Sequence, residues 1–195
     1  MREIRERLEA HRPALIGEGE TWRAAVALVF FAPAGGSQPE LLFIERARRE
    51  GDPWSGHMAF PGGRRDPTDP DIAATAARET REEVGLALGR PIARLDDQAG
   101  NPRQSTLGPL VISPFVYELA ERPRLAPNRE VNSTVWIPVP WLVHPDAAVQ
   151  YKLERDSVQL AFPAVRYEGY TVWGLTYRIL VNLFGLLGVE LKPAV

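Results

Sequence analysis

With 195 residues, of which 45% are hydrophobic and 25% charged, the chain has the composition of an ordinary soluble globular protein and the length to bury a full core. A net charge of −2 gives no electrostatic case for binding nucleic acid in bulk. The absence of cysteine excludes disulfides, thiol catalysis and Cys-based zinc sites.

The opening MREIRERLEAHRP is charged throughout and has no apolar signal core, so a cytoplasmic protein is expected. It predicts a short amphipathic helix with Ile4 and Leu8 on one face, stopped by Pro13. Trp22 to Phe31, WRAAVALVFF, is a near-continuous apolar run, the mark of a buried strand. Pro33 to Pro39 reads as a loop, and Glu40 to Ala47 as a second strand turning polar at its end. The loop that follows brings Arg46, Arg48 and Arg49 together. These arginines serve solubility, or they clamp a phosphate, since a guanidinium binds phosphate oxygens bidentately. His57 to Phe60 reads as a short strand delivering Pro61, Gly62 and Gly63. Glycines there let the backbone approach a metal or a phosphate closely. His57 reads as a partly buried strand residue more readily than as a catalyst.

The next stretch, Pro61 to Leu86, organises the rest of the chain. IAATAARETREEV contains no Gly or Pro and is rich in helix formers. Pro70 suits the first helical position, which makes Asp69 the expected N-cap, and Gly85 stands where a left-handed C-cap belongs. At about 100° per residue, Ala73, Ala77, Thr80 and Val84 share one face suited to packing on a sheet. Glu79 and Glu83 stand about one turn apart on the adjoining edge, with Glu82 beside them and Arg78 within reach of Glu82. Spacing alone leaves two readings of these carboxylates: a solvated acidic face, or ligands for a hard cation.

This stretch resembles the Nudix box, G-x5-E-x7-R-E-U-x-E-E-x-G-U with U aliphatic. Gly63, Arg78, Glu79, Glu82, Glu83, Gly85 and Leu86 fill its places. There are departures: one extra residue lies between Gly63 and Arg78, Asp69 replaces the first Glu, and Thr80 takes the first aliphatic place. The branch of the family that hydrolyses coenzyme A shows the same FPGG opening and a similar extra residue. Its upstream motif, of the type LLTxRSxxLxxHxGxVxFPGG, is matched here at Leu41, Leu42, Arg46, Gly56 and FPGG. Ile44, Ala47 and Trp54 hold its Thr, Ser and His places.

Beyond the box, PIARLDD reads as a strand and turn, and QAGNPRQSTLGP as a loop. Pro109 to Ala120 reads as a long apolar strand which Pro114 makes bulged or near an edge. Glu130 lies in the loop before the next strand. It is either a loop carboxylate binding backbone amides or a catalytic group. VPWLVHP starts a short helix, and residues 151–174 alternate as a hairpin, a wall for a substrate cleft. TVWGLTYRILVNLFGLLG reads as a C-terminal helix, too short and too polar at Arg178 and Asn182 for a membrane span. The final PAV is not a peroxisomal address.

These elements combine best as one domain over residues 1–195, an α/β/α sandwich with a mixed central sheet, which is also the Nudix fold. The resemblance implies a pyrophosphohydrolase using Mg²⁺ or Mn²⁺. Glu79 and Glu83 would be the main metal ligands, with Glu82 auxiliary and a backbone carbonyl near Gly63 as a further ligand. Glu130 is the candidate base. Arg46, Arg48, Arg49 and Arg64, with Arg65 beyond, are the candidate phosphate contacts, and Trp54 contributes to an apolar groove. Coenzyme A or an acyl derivative is the first expected substrate, cut to 3′,5′-ADP and 4′-phosphopantetheine. The alternatives are ADP-ribose, for which Pro102 stands at a favourable position after the box, and a non-catalytic nucleotide-binding module. No nucleic-acid or membrane partner is expected, and the sequence leaves a homodimer open.

Overall fold

The computed structural model describes residues 2–17, 22–32, 38–51, 54–100, 109–155 and 158–191; Pro102 and the final PAV lie outside the described residues. In chain order the elements are α1 (Arg2–Glu9), β1 (Trp22–Phe31), β2 (Glu40–Arg46), β3 (Met58–Ala59), β4 (Gly62–Arg64), α2 (Ile72–Val84), β5 (Ala93–Arg94), β6 (Gln98–Ala99), β7 (Leu110–Leu119), β8 (Val131–Pro138), α3 (Val139–Leu142), β9 (Ala148–Arg155), β10 (Val158–Tyr167), β11 (Tyr170–Trp173) and α4 (Gly174–Leu186).

The apolar run of β1 is buried because both of its faces are covered. Ala25, Ala27, Val29 and Phe31 face a core shared with Ala76 and Val84 of α2. Ala24, Leu28 and Phe30 face a second core with Leu8 of α1 and Ile179, Leu180, Leu183 and Phe184 of α4. The result is the expected α/β/α sandwich. Its sheet is mixed: β1 runs parallel to β7 from Trp22↔Leu110 to Phe31↔Leu119 and antiparallel to β2 and β4.

The pairing of β1 with β2 is brief, limited to Phe30↔Leu41 and Phe31↔Glu40. Beyond it the two strands part. β3 pairs with β2 at Ile44↔Ala59, and β4 then crosses to β1 at Ala24↔Arg64 through Val26↔Gly62. The glycine pair that the short strand before it delivers is itself in a strand, wedged into a split in the sheet. Gly62 permits it. Its φ is +152°, and a Cβ there would stand 2.2 Å from the Ala25 carbonyl oxygen and 2.6 Å from Val26 Cα.

Several expected boundaries move. The N-cap of α2 is Asp71, whose side chain accepts from Ala74 N at 2.7 Å, and not Asp69. Pro70 therefore precedes the helix. Gly85 is the left-handed C-cap, with φ 71° and its N–H bonded to the Arg81 carbonyl. On the sheet-facing side of α2 the buried small residue is Ala76, with Thr80 and Val84; Ala77 is half-buried. Pro114 introduces no bulge against β1, with which it pairs in register at Val26. Its carbonyl accepts from Leu95 N on the opposite side, so its ring nitrogen faces the place where the short strands β5 and β6 give way to each other. The late hairpin is a three-stranded antiparallel sheet, β11-β10-β9. Its last strand takes Tyr170–Trp173, so α4 starts only at Gly174. Among the described residues, no helix is long and apolar enough to cross a membrane.

Candidate active site

The site gathers around the split between β1 and β2, on the edge of α2 that faces β4. Arg78 ties the two elements together. Its Nη2 donates to the Arg64 carbonyl at 3.0 Å, its Nη1 to Glu79 at 3.0 Å and to both Glu82 oxygens at 3.3 Å. Nε and Nη2 hold the two oxygens of Asp69 at 2.9 and 3.1 Å. Asp69 is buried and also accepts from Thr75 Oγ1 and Asp66 N. The Arg78 guanidinium holds its carboxyl far below the usual carboxylate range, against the opposing effect of burial.

Glu83 is 4% exposed and accepts from Gly62 N at 2.8 Å. Burial pushes its carboxyl up to about 7; the Gly62 N–H and the charge of Arg46 pull against that, while Glu79 and Glu130 add to it. Glu79 is also raised by burial, with Arg78 opposing. Gly63 lies directly on Glu79: a Cβ there would stand 2.5–2.6 Å from the carboxyl atoms. The missing side chain at Gly63 is the space the Glu79 carboxylate occupies.

Glu130 is brought to the same place by its loop. Asn128 N donates to the Glu83 carbonyl and Ala126 N to the Val84 carbonyl, docking the segment on the C-terminal end of α2. The negative charge of Glu130 is felt at both Glu79 and Glu83. Its carboxylate accepts from Arg49 Nη2 at 2.9 Å.

The candidate arginines separate. Arg46, half-buried at the end of β2, lines the cleft beside Gly62 and Gly63, and Arg49 reaches Glu130. Arg48 is exposed beside Gly56, with its Nε 3.6 Å from where a Cβ at Gly56 would stand. Arg64 turns to the Trp22 ring, 5.5 Å from its centroid, and is not gathered with the others. Trp54 sits half-buried in the turn before β3, where its carbonyl accepts from His57 N. His57 lies 4.8 Å from the Trp173 ring, edge to face.

A cleft of about 140 Å³ lies beside the glycine strand, lined by Arg46, Gly62 and Gly63 but by none of Glu79, Glu82, Glu83 and Glu130, and it has a wall that sequence reasoning missed: Leu175, Thr176 and Ile179 of α4. Thr176 Oγ1 donates to the Met58 carbonyl at 3.0 Å. A lone hydroxyl near the start of an apolar helix was the only local hint.

Among the described residues, no three carboxylate or imidazole side chains form a ready metal cage. The donor set is nevertheless of the right chemistry for a hard divalent cation. It consists of carboxylate oxygens one turn apart, one of them buried, and a strand whose glycine makes room for the other. Such a cation binds through one or two carboxylates, keeps several waters and takes substrate phosphates as further ligands.

The family model described as the NUDIX domain matches residues 21–156, and the chain belongs to the Nudix family. It is 38% identical over 126 residues to an uncharacterized protein of Schizosaccharomyces pombe, covering 62% of this chain and 38% of that one. It is 30% identical over 181 residues to a peroxisomal coenzyme A diphosphatase of Mus musculus, covering 83% and 69%. It is also 30% identical over 143 residues to a mitochondrial coenzyme A diphosphatase of Homo sapiens, covering 71% and 58%. The chain thus spans well under half of the yeast relative and more than half of the other two. In fold it is similar to a MutT/nudix family protein from Enterococcus faecalis, at 16% identity and a TM-score of 0.60, covering 89% of this chain and 64% of that one.

Proposed function

We propose that this protein hydrolyses a diphosphate bond in a nucleoside diphosphate derivative, with coenzyme A or an acyl-coenzyme A as substrate. The observation that carries the reading is the fit of Gly62 and Gly63 onto Glu83 and Glu79. A buried carboxylate bonds backbone that only glycine permits at Gly62, and its neighbour one turn away fills the space that a side chain at Gly63 would take. Glu79 and Glu83 would hold Mg²⁺ or Mn²⁺, with Glu82 auxiliary and the Gly63 carbonyl as a further oxygen. The bound cation would neutralise the diphosphate and make a water acidic enough to attack. Glu130 accepts the proton of that water as its oxygen bonds to one phosphorus. The bridging P–O bond breaks, and its electron pair leaves with the other phosphate. Arg46 and Arg49 hold phosphate oxygens.

The coenzyme A assignment is supported by the upstream motif and by the names of the two mammalian relatives. A single domain over residues 1–195 is supported by α4, which lies beyond the matched residues and walls the cleft beside the glycine strand. The mammalian relatives are named as peroxisomal and mitochondrial.

The test is product analysis with Mg²⁺ or Mn²⁺ across coenzyme A, dephospho-coenzyme A and ADP-ribose. Coenzyme A should give 3′,5′-ADP and 4′-phosphopantetheine. Dephospho-coenzyme A should fall roughly ten- to hundredfold in kcat/KM if a charge-assisted contact to the 3′-phosphate is fully used. Much faster turnover of ADP-ribose would move the substrate to the other branch. Nucleotide binding without turnover would make the chain a non-catalytic module.

A further inference from the structure

The cleft beside the glycine strand passes through the split between β1 and β2. Ala24, Val26 and Ile179 on its wall belong to or pack on the core shared with α4. Ile44 and Ala59, also on its wall, belong to or pack on the core shared with α2, the helix that carries the carboxylates of the box. Gly63 joins the two regions: it lines the cleft, and the place of its missing side chain is taken by the Glu79 carboxylate. Arg46 joins them from β2, lining the cleft while its charge acts on Glu83. A group held in the cleft is therefore a direct neighbour of a phosphate held at the carboxylates.

What the cleft offers is mostly hydrocarbon. Besides Arg46 its one polar side chain is Thr176, whose hydroxyl proton already goes to the Met58 carbonyl. Val26, Ala59, Leu175 and Thr176 are half-buried, so the space opens to solvent. Its volume of about 140 Å³ is that of a cavity which takes a compact body of about six carbons. A ribose placed here would turn its hydroxyls on hydrocarbon, and burying a hydroxyl without a partner is costly. A purine base stands off from its phosphates by the length of the sugar, and its polar edge needs partners as well. Coenzyme A differs on the far side of its diphosphate. The methylene that carries the phosphate oxygen is bonded to a quaternary carbon bearing two methyl groups, a compact branched hydrocarbon next to the charge.

We propose that the cleft holds the two methyl groups which coenzyme A carries next to its diphosphate, and that Leu175 and Ile179 of α4, with Val26, select by them against substrates that have a sugar in that place. The inference rests on the coenzyme A reading above and adds to it which part of the substrate is recognised beside the carboxylates and by which residues. Each methyl contributes about fourfold to kcat/KM where it is fully buried, hence about tenfold or more for the pair.

The experiment measures kcat/KM with Mg²⁺ for coenzyme A and for its analogue lacking the two methyl groups, in the full chain and in Leu175→Ala, with ADP-ribose alongside and circular dichroism to verify folding. In the natural protein the analogue should be cut about tenfold less well than coenzyme A. Leu175→Ala should lower kcat/KM several-fold for coenzyme A and much less for the analogue, a difference that a merely structural role would not produce. Leu175 is half-buried in the first turn of α4, so this variant should fold, and the comparison of the two substrates in the natural protein stands without it. Equal kcat/KM for the two substrates in the natural protein overturns the proposal and leaves the function standing. An equal loss for both in Leu175→Ala assigns the cleft to another part of the substrate, such as the base, and overturns it as well. Hydrolysis of ADP-ribose with neither coenzyme A nor its analogue cut removes the reading beneath it.

Discussion

Arg78 grips Asp69 through two parallel bonds, Nε to Oδ1 and Nη2 to Oδ2, nine residues apart along the chain. Asp69 stands where the Nudix box has its first Glu, and its bond to the arginine of the box locks the loop before α2 onto the helix. Arg78→Ala should cost roughly 3 kcal/mol, the low end for a broken buried pair because Arg78 is partly exposed. Asp69→Asn, which strands no buried charge, should cost less. Because the folded carboxyl of Asp69 is depressed, its stabilisation is full above the ordinary Asp range and is lost as pH falls below about 4. Denaturant melts at pH 7 and pH 3 check this: the gap between natural protein and Asp69→Asn should narrow at low pH.

Glu83 titrates in the opposite sense. Its carboxyl is raised to about 7 in the folded chain, so its burial costs nothing below the unfolded value. Without metal, stability should fall as pH rises from about 4 to 7, by on the order of 3 kcal/mol at most. Glu83→Gln keeps an acceptor for Gly62 N and removes that slope. Glu83 is in the interior and not on a solvated helix edge, so the variant should be at least as stable as the natural protein at pH 7. Activity should fall by several orders of magnitude. Near-normal turnover at saturating Mg²⁺ would remove Glu83 from the metal site. Thermal melts with and without Mn²⁺ give an independent readout, since stabilisation by the ion should vanish in Glu83→Gln.

Glu130 and Arg49 are both about half exposed, and such a pair contributes about 0–1 kcal/mol. Glu130→Gln should therefore leave the melting temperature nearly unchanged while lowering kcat by about 10²–10⁴-fold, the range for one positioned base. A stability loss with unchanged kcat would assign the residue to the loop instead.

The two glycines of β4 should respond differently to the same substitution. At Gly63 the new methyl meets the carboxylate end of Glu79, a side chain that can swing away. Gly63→Ala should fold and show weakened activation by Mg²⁺. At Gly62 the methyl meets backbone of β1, which cannot yield. Gly62→Ala should lose more than about 1–3 kcal/mol, the usual cost of overpacking, and express poorly. Equal stability of the two variants, measured by chemical denaturation, would show that β4 is not seated as described.

The periodicity of the chain made much of this legible. An apolar run wrote β1 and a Gly-free stretch with a terminal Gly85 wrote α2. What escaped were choices settled across space. Asp69 and Asp71 both satisfy the local rule for a cap, and the pull of Arg78 on Asp69 leaves Asp71 to do it. Gly62–Gly63 carries no strand signal of its own because glycine is a poor strand former, yet the open edge of β1 gives it a ladder. Thr171–Trp173 fits both the end of the hairpin and the start of the helix until β10 lies beside it. The meeting of Arg49 with Glu130 has no local signal at all, and neither does the α4 wall of the cleft.

The long parallel ladder between β1 and β7 also sets an order of events during synthesis. Its two strands lie almost half the chain apart, and a parallel pair forms slowly because so much loop must close first. A ribosome that has released α2 has made every carboxylate of the box, but β1 still lacks the neighbour that fixes its place. The nascent chain must carry Trp22–Phe31 unpaired on that side until Leu119 emerges, an interval in which an exposed apolar strand is open to aggregation or to a chaperone.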